Sequence, residues 1–422
     1  MTTSMNMITP NFNQEYYSNL LRAKYGADVA RLSANLTLPK QPFAKVTYEM
    51  NLSDYLARSS SRTALSSLAK EVPKGWPQVL TGPMAWTGSD FEDNFEWIFT
   101  LSNDDKEEVH RALESFRSLG LSYDKVGRES FPLPHLAKSL SKICDDIYQG
   151  RGFVVIRGLE PDLYSPQDFA VIFLGISSYI GETRGKQDQR GSMMIHVVDR
   201  DPGNKNCTTG RGEQPFHTDV VCDTLALATR SCSANGGHGF VASTWAVYNE
   251  LAATRPDLIH TLSKPNWPHD TYGRTPAFYN RALLYHTDGK IILNFSRRLL
   301  TGHSDSPRTP GIPGLTEEQV EALDAIHFIA QKHQLDMLMK KGDLRFINNM
   351  AMVHCREAFE DDEKNHRHLL RLWLSNKEKI WKLDPALEVA WARVFDDQER
   401  DTHWDAVPVW LNGKIIKAES CD

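Results

Sequence analysis

Arg367-His368-Leu369-Leu370-Arg371-Leu372-Trp373-Leu374 is the stretch on which the reading of this chain turns. Apolar residues run through it without Gly or Pro, and in a strand successive side chains face opposite ways. Arg367 and Arg371 then share one face, and Leu370, Leu372 and Leu374 take the other. Two guanidinium groups on the inner face of such a strand are costly unless an anion meets them. Just upstream, Gly342-Asp343-Leu344-Arg345-Phe346-Ile347-Asn348-Asn349 reads as a turn and a second strand leading toward His354. Further short strand-like runs lie at 192–198, 225–229, 239–243, 282–285 and 291–295. Many short strands with few βαβ alternations predict a mixed α/β chain with a mainly β core. The expected architecture is a double-stranded β-helix, a cupin-like jelly roll, with flanking helices and an N-terminal arm.

Helical periodicity surrounds these strands. One amphipathic helix follows Asn103, with Val109, Leu113, Phe116 and Leu119 before Gly120; another carries Leu136, Leu140, Ile143 and Ile147 before Gly150. Phe153 to Ile156 is a short apolar strand, and Ser165-Pro166-Gln167-Asp168 supplies an N-cap and first-turn Pro for a further helix. Thr316-Glu317-Glu318-Gln319 is a capping box opening a helix over about 316–333, with Val320, Leu323, Ile326 and Ala330 on one face. Residues 1–75, interrupted by Pro39, Pro42 and Pro73, read as an arm with short helices. Residues 76–422 read as one jelly-roll domain with helical insertions.

Composition narrows the function. Among 422 residues, 48 basic and 54 acidic side chains give a formal charge of -6, which argues against a nucleic-acid surface. No run approaches the ~18 to 20 apolar residues of a membrane span, and the polar start lacks a signal peptide's basic end and apolar core. These features predict a cytoplasmic protein acting on a small molecule, with homo-oligomerisation left open. The six Cys form no CxxC pair, so free thiols are expected, and zinc-knuckle and redox motifs are excluded.

Fifteen His invite a search for metal ligands. His-x-Asp places an imidazole and a carboxylate on one side of a strand, and it occurs at His217/Asp219, His286/Asp288, His303/Asp305 and His403/Asp405. Asp288-Gly289 is a hairpin-turn signal, which claims the second. His303 sits in a Pro/Gly loop, and His403 has no later His to complete a site. His217 and Asp219 remain, with His354 as the second imidazole. An HxD, a distant His and then inward Arg is the order expected of a non-haem iron site with a dicarboxylate cosubstrate. A zinc hydrolase using the same His residues, or a jelly-roll binding protein without catalysis, are the competing readings.

Phe216-His217-Thr218-Asp219, Gly236-Gly237, the stretch from Ser243 to Leu251, Asn348-Asn349 before His354, and residues 367–374 together resemble one family over about residues 150–381. It is the taurine dioxygenase/2,4-dichlorophenoxyacetate dioxygenase (TauD/TfdA) family of Fe(II)- and 2-oxoglutarate-dependent oxygenases, especially its fungal secondary-metabolism members. The resemblance implies a dioxygenase in which His217, Asp219 and His354 ligate iron and Arg367 binds the distal carboxylate of 2-oxoglutarate. Arg371 would serve the cosubstrate or an acidic group of the substrate, and no catalytic residue is implied beyond the metal site. With O2 as the remaining reactant, an unactivated C–H would be hydroxylated, desaturated or cyclised, releasing succinate and CO2. The chain departs from the family at Gly239, where Ser or Thr usually follows the Gly-Gly pair by two positions as a second contact to 2-oxoglutarate; Ser243 and Thr244 are the nearby candidates to substitute for it.

For the substrate, Leu344 and Phe346 share one strand face leading toward His354, so they are read either as an apolar wall of the pocket or as jelly-roll core. An apolar wall with a spare Arg371 suggests a small carboxylate-bearing substrate, such as an amino acid, a sulfonate or an acidic secondary-metabolite intermediate.

Overall fold

The computed structural model describes residues 43–199, 210–272, 276–304, 306–411 and 414–415. Two sheets face each other, as the short-strand pattern predicts. The larger has seven strands among the described residues, in the order Ile98–Thr100, Phe153–Arg157, Leu344–Asn348, Thr224–Ser231, His368–Ser375 and Thr183–Arg184, with Ile195–Val197 also paired to His368–Ser375. The smaller runs Leu335–Asp336, Gly239–Ser243, Met352–Arg356, Gln214–His217. Apart from the parallel pairing of Ile98–Thr100 with Phe153–Arg157, both are antiparallel. This is a jelly roll flanked by helices.

Alternation along the strands sorts side chains into layers. Leu344 is in register with Ala228 and Leu370, and Phe346 with Ala226 and Leu372. These rows face outward, where the small Ala side chains let helices Asn103–Leu119, Leu136–Gln149 and Pro166–Ser177 close in; Leu113, Leu140, Phe169 and Phe173 complete that core. Each buried Leu or Phe contributes roughly 1.5–3 kcal/mol of hydrophobic stabilisation. The intervening rows, Arg345–Leu227–Arg371 and Ile347–Leu225–Trp373, face the smaller sheet. Helices Thr244–Thr254, Pro256–Leu262 and Glu317–Lys332 cover that sheet's outer side around Phe216, Ala242 and Val353.

Local signals behave as the sequence predicts where they are chemically specific. Gly120 ends its helix in the left-handed conformation, and the Ser165 and Thr316 caps both form. The hairpin Leu284–Thr287/Lys290–Leu293 turns at Asp288 (φ 48°) and Gly289 (φ 74°), so its strands are offset from the predicted 282–285 and 291–295. The run at 192–198 forms a strand only over Ile195–Val197. Four helices among the described residues escape the periodicity reading, the short Pro256–Leu262 and Arg297–Thr301 and two longer ones. Ser243 caps Thr244–Thr254 by accepting from the amides of Trp245 and Ala246, and Asp384-Pro385 opens Pro385–Phe395. In the arm, residues 1–42 lie outside the described residues. Helix Leu52–Thr63 packs on Glu317–Lys332, with Arg58 paired to Glu317 at 2.8 Å and Arg62 to Glu321 at 2.6 Å.

Candidate active site

Strand pairing brings the two imidazoles together. His217, the last residue of Gln214–His217, is the direct antiparallel partner of His354, and their ring centroids are 4.3 Å apart. Asp219 is not on the strand, as the i, i+2 argument supposed, but two residues beyond it. There the chain is pinned: the Thr218 amide donates to the Phe295 carbonyl at 2.9 Å, and the Asp219 amide donates to Asn349 Oδ1 at 2.9 Å. Asn349 Nδ2 in turn donates to the Asp219 and Cys222 carbonyls. This clasp returns the carboxylate toward the imidazoles, with Oδ1 3.6 Å from His354 Nε2 and 4.0 Å from His217 Nε2.

The donor atoms are set up for a cation. His217 Nδ1–H donates to the Pro215 carbonyl at 2.8 Å, which leaves the Nε2 lone pair facing Asp219. Asp219 Oδ2 is already engaged: it accepts from the Trp373 indole N–H and pairs with Arg371 Nη1 at 3.1 Å, so Oδ1 is the oxygen left for a metal. Burial by itself raises the carboxyl's pKa, but Arg371, His354 and His217 outweigh it and hold Asp219 well below the usual carboxylate range. Donor atoms of the three residues all lie within 4.8 Å of one another, and no other His/Cys/Asp/Glu group among the described residues does the same. Two imidazoles and one carboxylate oxygen fit Fe(II). The remaining HxD pairs go elsewhere: Asp288 turns a hairpin, Asp305 lies outside the described residues, and the His403 backbone bridges Ser192.

These groups open into a cavity of about 180 Å³ between the sheets. Its lining is cationic, with Arg190, Arg297, Arg298, Arg345, Arg356, Arg367 and Arg371 against Asp219 and Asp405. Arg367 and Arg371 do lie on the inner face of His368–Ser375 and its approach, as the alternation predicts. Arg367 is 4% exposed; its Nε and Nη1 meet no hydrogen-bond partner among the described residues, and its stem lies against Gly237. Burial, reinforced by Arg356 and Arg345, pushes it well below the ordinary guanidinium value, so the cavity solvates the cation poorly. Arg371 is fixed instead, donating from Nε to Gln187 Oε1 at 2.9 Å and pairing with Asp219.

The apolar wall is not where the sequence placed it. Leu344 and Phe346 are fully buried in the helix-facing core, on the far side of the sheet. Their strand presents Arg345 and Ile347 to the cavity, beside Leu225, Leu227 and Leu369. Of the two readings of this pair the core one holds, because a step of one residue along a strand exchanges its faces and gives the cavity Arg345 and Ile347. Arg345 itself was the missed signal, since it interrupts an apolar strand as Arg367 and Arg371 do. Tyr48, on the segment read as an arm, also lines the cavity. Ser243 and Thr244 do not: Ser243 Oγ donates to the Met84 carbonyl while capping a helix, and Thr244 Oγ1 donates to the Ala351 carbonyl at 2.7 Å.

A jelly roll enclosing two imidazoles, a carboxylate and an unneutralised buried guanidinium is the plan of a non-haem iron oxygenase with an anionic cosubstrate. Residues 115–373 match the family described as "Taurine catabolism dioxygenase TauD, TfdA family", and the chain belongs to that family of Fe(II)/2-oxoglutarate-dependent oxygenases. Its cofactor is Fe(II), with 2-oxoglutarate and O2 as cosubstrates. It is 34% identical over 78% of its length, and 89% of the relative's, to a taurine hydroxylase-like protein, SAT17, of Stachybotrys chartarum. It is 26% identical to the FR-33289 synthase of Streptomyces rubellomurinus over 70% of its length and 90% of the relative's. In structure it resembles an asparagine oxygenase solved with Fe(II), 2S,3S-3-hydroxyasparagine and succinate, at a TM-score of 0.52 and 17% identity over 66% of this chain and 93% of that one. No helix among the described residues is long and apolar enough to cross a membrane.

Proposed function

We propose that this oxygenase oxidises an unactivated C–H of a small anionic substrate, by hydroxylation, desaturation or oxidative cyclisation, with His217, Asp219 and His354 holding the iron. The observation that carries the reading is the convergence of these three donor sets in a cavity lined by seven Arg and two Asp. Bound Fe(II) with 2-oxoglutarate and O2 supplies the oxidising chemistry and releases succinate and CO2.

Each remaining task belongs to a residue of the chain. The Pro215 carbonyl sets the His217 tautomer, and Arg371 with Trp373 turns Asp219 so that it offers one oxygen. Arg367, buried without a counter-anion among the described residues, takes the far carboxylate of 2-oxoglutarate. Arg371 therefore serves chiefly as a positioning residue for Asp219. The substrate's anionic group is left to the cations nearer the arm. Arg298 suits that role, as a half-buried cavity residue whose Nε lacks a partner among the described residues; it lies 5.9 Å from the centroid of the Tyr272 ring. The relatives that act on amino acids and secondary-metabolite intermediates favour a small carboxylate, sulfonate or similarly charged compound over a neutral polyketide.

Anaerobic addition of Fe(II) and then 2-oxoglutarate tests the site, the expected result being a weak visible charge-transfer band that neither reagent gives alone. A panel of amino acids, sulfonates and other small acids, scored by substrate-dependent succinate release, then tests the substrate class. Turnover of neutral compounds in preference to all the acids would overturn it.

A further inference from the structure

Arg345 lies in the middle of the larger sheet, in register with Leu227, which is in register with Arg371 on its other side. Its side chain is 3% exposed, it lines the cavity, and it has no ion pair among the described residues; Nε and Nη2 meet no hydrogen-bond partner there. A cation so placed is expensive unless an anion reaches it.

The smaller sheet is shaped to admit this group. A Cβ at Gly239 would fall 2.9 Å from Arg345 Nη1, so the guanidinium fills the space that a side chain at 239 would occupy. Two residues earlier, a Cβ at Gly237 would fall 3.1 Å from Arg367 Cδ and Nε. Gly237 is in the left-handed region, at φ 75°, so the chain bends there, and two residues of chain span at most about 7 Å in any conformation. The two side chains therefore approach the same end of the cavity over neighbouring glycines, each with unspent N–H donors. A single carboxylate, with about four acceptor sites, can satisfy both.

We infer that Arg345 is the second half of the clamp on the distal carboxylate of 2-oxoglutarate, acting with Arg367 in space left by Gly239. This rests on the oxygenase reading and adds a binding residue to it. It also accounts for Gly239, because a larger residue would displace the guanidinium.

The test is anaerobic calorimetry on the Fe(II)-loaded protein, comparing 2-oxoglutarate with 2-oxopentanoate, which keeps the 2-oxo acid end but lacks the far carboxylate. Arg345→Met should weaken 2-oxoglutarate binding about 10- to 100-fold, the scale of a lost hydrogen-bonded charge contact, while leaving 2-oxopentanoate and Fe(II) affinity unchanged. Gly239→Ala, which keeps Arg345 but crowds it with a Cβ 2.9 Å from Nη1 and adds no hydroxyl, should shift 2-oxoglutarate selectively in the same direction and covers the case in which Arg345→Met fails to fold. Unchanged 2-oxoglutarate affinity in a folded variant, or equal loss for both ligands, would overturn the role of Arg345. A wild-type protein that binds Fe(II) but neither 2-oxo acid would instead overturn the cosubstrate reading, and the clamp with it.

Discussion

Asp219 illustrates how much one residue's surroundings decide. Its two oxygens are made unequal by Trp373 and Arg371 on one side and the imidazoles on the other, and burial keeps water from erasing the difference. Replacing His217, Asp219 or His354 by Ala should each abolish tight Fe(II) binding in an anaerobic metal titration, whereas His286→Ala, beside a hairpin turn, should retain it. Arg371→Met should weaken Fe(II) retention about 10- to 100-fold, as loss of a group that orients a ligand does. If that variant instead holds iron normally and loses only 2-oxoglutarate, Arg371 belongs to the cosubstrate and not to Asp219.

At the scale of single elements, the strand Leu344–Asn348 divides stability from chemistry between its faces. Leu344→Ala and Phe346→Ala should each cost about 2 to 5 kcal/mol in chemical denaturation, with 2-oxoglutarate affinity of the folded protein unchanged. The hairpin offers a separate check on backbone conformation. Gly289 has a φ of 74° and open space around its Cβ position, so Gly289→Ala should cost roughly 1 kcal/mol through backbone strain alone. A neutral result would show that the turn relaxes to another type.

The molecule as a whole carries a pH dependence through its buried imidazoles. His327, on helix Glu317–Lys332, accepts from the Phe216 amide at 3.4 Å and lies against the Phe216 ring on strand Gln214–His217. Burial, with Arg297 nearby, pushes it down to about 4 from its ordinary 6.5. A depressed folded-state value means that the unfolded chain takes up the proton first. Its contribution to stability is then present above pH 6.5 and is lost as the pH falls from 6.5 through about 4. Denaturation midpoints should decline across that window, and His327→Phe should flatten the decline; the same slope in both proteins would exclude His327 as its source.

The sequence by itself determined whatever depends on local chemistry. Helix caps at Ser165 and Thr316, the stop at Gly120, the Asp288-Gly289 turn and the alternation that sets Arg367 and Arg371 against Leu370 and Leu372 are all properties of a few neighbouring residues. Chain order and the weakness of the other HxD pairs also single out His217, Asp219 and His354 as one group, and the fold places their donor atoms within 4.8 Å of one another. What only the tertiary structure decided is which partner each face receives. Leu344 and Phe346 look the same whether they meet a substrate or a helix, and the three helices packed across Ala226 and Ala228 settle it. Arg371 meets Asp219, and Arg345 comes to rest over Gly239, because strand register aligns residues far apart in the chain. Periodicity fixes which side chains share a face; the cost of burying charge without a partner fixes which of those faces becomes the site.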